Sequence, residues 1–445
     1  MTGPARTPWL TAALALALAG PAHAHASERM VILTLPTGPF LVGAGLAVLL
    51  GVVAGSLGGR LPGFGARRLA DWPGEGVALS WLGFAALLGL LAAGTWGDRD
   101  PLENPLPLVL WLGIWVALVL ASSVLGDLWR PIAPWRGPVR LVRRLLGRRG
   151  GIGLSRLGHW PAVLGLLAFS WFENVSLAPS DPWVLARVAG LYWLTIFLLA
   201  VAEGEDWLDR GEALTASFAL FARVAPLWRD REDGRSVLKI GLPGAQIVAM
   251  PVLSAGEVGL VTLLITSVTF DGLSESFWWL GRIGINPLEF PGRSAVMGIH
   301  SLGLVVAWGL VTASILGAVA LGGAGRTVLL SFLPISAGYH VAHYLVALLS
   351  QGQYGIAALN DPLGRGWALL GLPDHWASFG FLTDRGWVWA IWGTQFTLIL
   401  GAHLLAVVLA LKLAGRKLRA HLPVTVLMIG YTVLGLWLLA TPTAG

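Results

Sequence analysis

The feature that most constrains this chain is a series of apolar stretches, each about 20 residues long and poor in charged residues. A helix of about 20 apolar residues is long enough to cross the hydrocarbon core of a membrane. With 56% hydrophobic and 12% charged residues, the chain also has too little polar surface to cover a soluble globule. The sequence therefore predicts an all-α fold, a polytopic transmembrane helical bundle with about ten spans after a signal peptide. The predicted spans are 38–57, 77–96, 106–128, 159–177, 183–202, 245–270, 297–321, 327–350, 387–411 and 422–440.

Residues 1–24 have the pattern of a secretory signal peptide, with an early arginine, an apolar run that is short for a full span, and a small residue at Ala24. We expect cleavage after Ala24, with cleavage after Ala26 as the alternative. Residues 25–445 then form a single integral membrane domain. A mature chain that begins with His25 presents an α-amine and an imidazole that together suit copper or zinc. An uncleaved first helix is the competing interpretation.

Lysine and arginine residues are concentrated in alternate connections between the predicted spans. If the mature N-terminus lies outside, the cytoplasmic connections hold 22 of the 29 Lys and Arg residues beyond the signal peptide. Cytoplasmic loops of membrane proteins carry such an excess. We therefore predict a multi-pass protein of the bacterial inner membrane with both mature termini outside the cytoplasm. The net charge of +6 is this orientation signal, so the expected partner is the lipid bilayer and not nucleic acid.

Three connections are long enough to have structure of their own. The Arg-rich connection 129–158 is predicted to lie on anionic headgroups. In the second long cytoplasmic connection, 203–244, the segment 211–221 is typical of an interfacial helix. The outer connection 351–386 is too long for a simple connector. Its turn-rich part, 361–367, is either a lid over an outward-facing site or a plain structured loop.

Ionisable side chains within the spans are expensive in hydrocarbon, so each one suggests a functional role. His340 and His343 lie three residues apart in the eighth span, which puts both imidazoles on one helix face. Glu173 ends the fourth span and Asp271 ends the sixth, both toward the predicted outer face. Imidazole and carboxylate ligands suit zinc, manganese or cobalt. We therefore predict that His340, His343, Glu173 and Asp271 bind a divalent metal in one outward-facing pocket.

A structural interpretation of the same residues stays open. A histidine pair in a span can simply bond backbone carbonyls or a buried carboxylate, and carboxylates at helix ends are often only solvated. Glu257, after Pro251 in the sixth span, is either a proton or cation site near a helix break or a paired structural carboxylate. His403 is more typical of a structural histidine than of a ligand. The absence of cysteine excludes disulfides and thiolate ligands.

Several short segments carry a resemblance to a known family. They are GDLWR at 126–130 with PWR at 134–136, WFE at 171–173, SVTFDGL at 267–273, GYHVAHY at 338–344 and DPLGRGW at 361–367. In these segments the chain resembles the bacterial multi-pass membrane proteins labelled fenitrothion hydrolase. The resembling segments span most of the mature chain. They are specific for membership of the family and say little about the activity.

The resemblance implies hydrolysis of an organophosphorus triester with release of a nitrophenol. Attack on phosphorus without a covalent nucleophile generally uses water activated by a metal ion. Glu173 and Asp271 are then the catalytic carboxylates, and a hydrophobic small-molecule substrate reaches the site from the membrane. The native substrate does not follow from the resemblance.

Two other functions remain open at this level. In a metal-ion or small-molecule transporter, or a metal-handling protein, the same histidines and carboxylates form a transient cation site. In a scaffold subunit, the cytoplasmic Arg-rich segments dock a partner protein that the sequence does not identify. An enzyme retains its metal and forms product in detergent, whereas a transporter shows flux in sealed vesicles.

Overall fold

The computed structural model describes residues 37–56, 61–72, 76–323, 325–373, 376–414 and 418–443. The predicted signal peptide at 1–24 and the possible chelating His25 lie outside these ranges. In the described part the chain is mostly helical. Twelve helices carry the architecture: α1 Thr37–Ser56, α2 Ala78–Trp96, α3 Pro105–Leu125, α4 Arg136–Leu145, α5 Trp160–Asn174, α6 Pro182–Glu203, α7 Ala213–Phe221, α8 Ala255–Ser274, α9 Arg293–Gly322, α10 Leu333–Asn360, α11 Arg385–Ala414 and α12 Leu418–Ala440.

Short helical turns connect these helices. They are Trp129–Ile132, Leu154–Leu157, Glu205–Trp207, Leu208–Gly211, Ala222–Val224, Ala245–Val248, Phe277–Arg282, Pro287–Glu289, Arg326–Phe332 and Gly380–Leu382. The middle of α3, Val109–Leu118, is a π-helix, a wider form that is rare and often found at functional sites.

Eight helices of the described chain are long and apolar enough to cross a membrane, which makes this a multi-pass membrane protein. They correspond to the second, third and fifth to tenth predicted spans. The first and fourth predicted spans correspond to α1 and α5, and α5 has only 15 residues. The predicted start of the sixth span at 245 is wrong. That helix begins at Ala255, after a capping box in which Ser254 and Glu257 bond each other's backbone N–H groups.

The prediction of an all-α fold is wrong in one detail, because three strands form a small antiparallel sheet. Strand β3, Arg235–Gly241, lies in the middle and pairs with β1, Ala66–Asp71, and with β2, Leu227–Glu232. The hairpin β2–β3 turns at Asp233 and Gly234, which both have positive φ, as a type I′ turn requires. The sheet joins two connections that are both predicted to be cytoplasmic.

Helix α8 is the centre of the bundle. In its most apolar window 78% of the residues are buried inside the protein, against 17% for α2 at the periphery. It packs against α5, α9 and α10, while α10 also packs along α11. Most polar side chains in the middle of α8 therefore face protein rather than lipid.

Helix α7 is buried within the bundle, so the prediction of an interfacial helix at 211–221 is wrong. Eight of its nine residues are buried. Its first residue, Ala213, packs on Gly165 of α5, and the ring of Phe221 at its end lies 5.5 Å from the ring of His340. The segment is apolar on all sides, which is typical of a buried helix rather than an amphipathic one.

Candidate functional site

Three of the four side chains predicted for the site meet where α5, α8 and α10 come together. Nε2 of His343 lies 2.7 Å from Oδ2 of Asp271, within hydrogen-bond distance. Each of these side chains is 18% exposed, so the pair is largely but not completely enclosed. Asp271 is in the last turn of α8, and His343 is in the first half of α10. An imidazole and a carboxylate paired in this way form an acid–base unit.

Glu173 joins this pair through a tyrosine. The hydroxyl of Tyr344 donates a hydrogen bond to Oε1 of Glu173 over 3.1 Å. The rings of Tyr344 and His343 pack edge to face, with their centroids 4.7 Å apart. Glu173 also lies close enough to Asp271 to interact with it electrostatically. The two carboxylates predicted from the sequence therefore belong to one cluster, with Tyr344 between Glu173 and the imidazole.

His340 has a different environment. Its Nε2 lies 2.6 Å from the backbone carbonyl oxygen of Trp115 in the π-helical part of α3. Its ring packs edge to face against the Trp115 indole at 4.9 Å, and the residue is only 1% exposed. His340 thus has the contacts of a structural histidine, which the sequence left open as the alternative.

The four predicted ligands do not fit a metal centre as they are placed. Within the described ranges, no group of three or more His, Cys, Asp or Glu side chains is arranged to hold a metal ion. One ring nitrogen of His343 is hydrogen-bonded to Asp271, and one ring nitrogen of His340 is hydrogen-bonded to the backbone carbonyl of Trp115. A tetrahedral or octahedral site needs at least three protein ligands on one point. We therefore derive no catalytic step through a metal ion.

Buried polar atoms without a hydrogen-bond partner surround the cluster. Buried polar atoms are nearly always paired in proteins, so a group of unpaired ones points to a polar ligand or to water. Ser170 lies one turn before Glu173 on α5, and Ser267 lies one turn before Asp271 on α8, so each shares a face with its carboxylate. Among the described residues, the unpaired buried atoms of this region include Oγ of Ser170, Oγ of Ser267 and Nδ1 of His340.

An arginine and a further carboxylate form the rim of the site. Nη1 of Arg293 donates to the carbonyl oxygens of Glu173, at 2.8 Å, and Ser176, at 3.3 Å. Its Nη2 lies 3.7 Å from Oε1 of Glu275, just past the end of α8. Burial and the negative charge of Asp271 raise the pKa of the Glu275 carboxyl to about 7, although Arg293 and His343 act in the opposite direction.

Tyr344, Trp115, Glu275 and Arg293 were not predicted as site residues. Glu275 follows Asp271 by four residues, and this spacing places both carboxylates on one helix face. That signal was available in the sequence. Nothing in the sequence indicated Trp115 or Arg293, because their contacts depend on how separate helices pack.

Two other candidates have structural partners. Glu257 accepts hydrogen bonds from the backbone N–H of Ser254 at 2.8 Å and from its hydroxyl at 2.7 Å, so it caps the start of α8. His403 bonds the carbonyl of Ile399, one turn earlier in α11, through Nδ1 at 2.8 Å.

Comparisons with known proteins do not assign the chain to a family. No protein-family model, no curated protein and no solved structure matches it. The resemblance found in the sequence segments therefore remains an expectation, and the function has to be argued from the geometry of the site.

Proposed function

We propose that this protein is a membrane-embedded hydrolase of lipid-soluble esters in which the Asp271–His343 pair takes a proton from the attacking water. The observation that carries the proposal is the 2.7 Å contact between the two side chains, each of which is largely enclosed but still 18% exposed. Organophosphorus triesters are the substrate class that the sequence resemblance implies.

The arrangement supports a general-base mechanism. When Nε2–H of His343 donates to Asp271, the lone pair on Nδ1 is available to a water molecule. Among the described residues Nδ1 has no hydrogen-bond partner, and the side chain of His343 is 18% exposed. As the water oxygen bonds to phosphorus, its proton moves to Nδ1, and Asp271 stabilises the imidazolium that forms. Asp271 acts here as a positioning residue, and His343 is the catalytic base.

The leaving group does not need a proton from the protein. A nitrophenolate spreads its negative charge over the ring and the nitro group, so it departs as an anion. The guanidinium of Arg293 supplies positive charge at the rim of the site. Tyr344 and Glu173 position each other and line the enclosed side of the cluster. We infer that a lipid-soluble triester arrives from the bilayer, while water enters past Glu275.

A hydrolysis assay with matched variants tests this proposal. The purified protein in mild detergent and a metal chelator is mixed with a nitrophenyl phosphotriester, and release of nitrophenolate is followed by absorbance. Loss of a general base reduces a rate by about 10²–10⁴-fold, so His343→Gln and Asp271→Asn should each lose activity on that scale. His403→Gln is the control, because His403 is a buried span histidine outside the cluster.

Three outcomes would overturn the mechanism or the function. Full activity in both cluster variants rejects the pair as the base. Activity that is lost in chelator and restored by zinc, manganese or cobalt returns the chemistry to a metal ion. A wild-type protein that releases no nitrophenolate above a detergent blank rejects the hydrolase.

A transporter is the second candidate, and the unpaired polar atoms at membrane depth favour it. Polar groups within spans often mark an ion or proton path. In this function the same cluster releases and rebinds protons as a solute crosses the membrane. Proton or metal flux into sealed vesicles, abolished by Asp271→Asn, together with no product from the triester, would establish this alternative over the hydrolase.

A further inference from the structure

A large apolar cleft lies between α3, α10 and α11 and is separate from the polar cluster. Its volume is about 880 Å³, and none of the four predicted site residues lines it. Leu345 and Gly352 on α10 face the cleft, whereas helical spacing places His343 on the opposite side of that helix. The identity of the molecule that binds in the cleft therefore does not depend on the proposed hydrolysis.

The lining of the cleft is mostly apolar. Among the residues that the structure describes, no charged side chain lines it. The amide of Gln353 is fully occupied, because Nε2 donates to the carbonyls of Leu349 and Ser378 and Oε1 accepts from the N–H of Ser378. The hydroxyl of Thr394 donates to the carbonyl of Ala390 over 2.8 Å. These features favour a hydrocarbon over an ion, a sugar or a nucleotide.

Glycines on facing walls keep the cleft open. A Cβ added at Gly352 would meet only Leu348 at 3.7 Å, and one added at Gly113 would meet only atoms of its own helix, in the π-helical part of α3. Both positions therefore face unfilled space. A π-helix is rare and often marks a functional site, so its presence in this wall is a second sign of a binding site.

The helices that form the cleft indicate that it lies within the membrane and faces lipid. Its three walls belong to helices that are long and apolar enough to span a membrane. Trp376 and Trp387 line its end near the connection that precedes α11, and indole rings prefer the headgroup level. The cleft thus extends from the headgroups of one leaflet into the hydrocarbon. Its volume is within the range of small-molecule sites.

We infer that the cleft is a binding site for one acyl chain of a phospholipid from the leaflet that contains Trp376 and Trp387. The chain lies against α3 and α10, past Gly113 and Gly352, and its headgroup stays beside the two indoles. This site goes beyond the proposed hydrolysis, because it involves neither His343 nor Asp271.

Photocrosslinking with a defined lipid tests the site. The full-length protein in mild detergent is depleted of lipid and incubated with phosphatidylglycerol that has a diazirine in one acyl chain. We expect native mass spectrometry to detect one retained lipid per chain. After irradiation, labelled peptides should be concentrated at 108–117, 345–359 and 387–394, at higher density than in α9.

Variants that fill the cleft provide the comparison. Gly113→Leu and Gly352→Leu place a side chain in the open space, and each should reduce lipid retention at least about tenfold. Both changes replace a glycine within a helix, which does not weaken the helix by itself. Gly401→Leu is the control, since this glycine of α11 faces open space outside the cleft and its substitution should leave retention unchanged.

Unchanged retention in both filling variants would overturn the inference, as would labelling that is no denser in the cleft than on α9. Displacement of the bound lipid by stoichiometric uncharged phosphotriester would also overturn it, because the cleft would then belong to the substrate. None of these three results depends on whether the protein hydrolyses esters, so the two proposals fail separately.

Discussion

The shared helix face of His340 and His343 could be predicted from their spacing, whereas their hydrogen-bond partners depend on how the helices pack. Their spacing predicted one helix face, and both side chains do point toward the region between α3, α5 and α8. Yet His343 meets the carboxylate of Asp271, while His340 meets the carbonyl of Trp115. The sequence indicated that Glu173, Asp271 and His343 belong together, since charges at membrane depth have to satisfy one another. The contact between His340 and a backbone carbonyl of α3 could not be predicted from the sequence.

Glu275 provides a test of the electrostatics at the rim. Asp271, His343 and Arg293 face its carboxyl group, and its pKa is raised from 4.5 to about 7. A carboxyl with a raised pKa in the folded state holds its proton while the unfolded chain has lost it, so its contribution to stability falls as the pH rises from 4.5 to 7. We expect the melting temperature of Glu275→Gln in detergent to fall less than that of the wild type over this range.

The control for this measurement is Glu289→Gln, an exposed glutamate in the same connection. Its melting curve should follow that of the wild type at every pH. If Glu275→Gln and the wild type change in parallel between pH 4.5 and 7, the carboxyl of Glu275 has no raised pKa.

At the scale of single elements, length and apolar pattern predicted the long helices well and failed for α7. A run of about 12 apolar residues is too short to span a membrane, which favours an interfacial helix. This run, however, lacks the polar face that an interfacial helix needs. The start of α8 was available from the sequence, because Ser254 and Glu257 have capping-box spacing. The strands were not predicted, since β1 is rich in charged residues and its partner β3 follows about 160 residues later.

Helix α7 should depend strongly on the carboxylate at its N-terminus. Glu212 is fully buried and accepts hydrogen bonds from the N–H groups of Leu214 and Thr215, the hydroxyl of Thr215 and the hydroxyl of Tyr192. Glu212→Ala leaves these four donors unpaired inside the bundle. We expect a loss of about 2 kcal/mol or more in the free energy of unfolding, measured with denaturant in detergent.

Glu257→Ala is the matched comparison, because it removes a capping carboxylate at the exposed start of α8. Water replaces the lost bonds there, so the expected loss is about 1 kcal/mol or less. Equal losses in the two variants would contradict the buried position of α7 and of its capping carboxylate.

Gln353 should hold the connection between α10 and α11 against α10. Its amide makes a pair of hydrogen bonds with the backbone of Ser378, at 3.0 and 2.8 Å. Gln353→Ala removes both, so cleavage by an added protease around Ser378 should become faster. Gln351→Ala, an exposed glutamine two residues earlier on the same helix, should cleave at the wild-type rate. Equal rates in all three proteins would show that these bonds do not restrain the connection.

At the scale of the whole molecule, contacts between connections divide them into two sets. On one side, β1 pairs with β3, and Arg140 bonds Glu205 at 2.8 Å. These contacts join the connections after the first, third and fifth predicted spans. On the other side, Arg99 forms a salt bridge with Asp181 at 2.5 Å. This contact joins the connections after the second and fourth predicted spans. A helical bundle that crosses a membrane at every span requires this alternation.

This alternation of the connections agrees with the distribution of Lys and Arg residues along the sequence. The two observations are independent, and together they predict which connections are cytoplasmic. Reporter fusions after about residue 140 and residue 230 should give a cytoplasmic signal, and fusions at about 285 and 370 an external one. The salt bridge between Arg140 and Glu205 makes the first pair of sites a joint test, since it can form only if their connections share a compartment. An external signal at 230 with a cytoplasmic one at 140 would therefore contradict the contacts as well as the charge count. A cytoplasmic signal at 370 would place Trp376, Trp387 and the mouth of the apolar cleft in the inner leaflet.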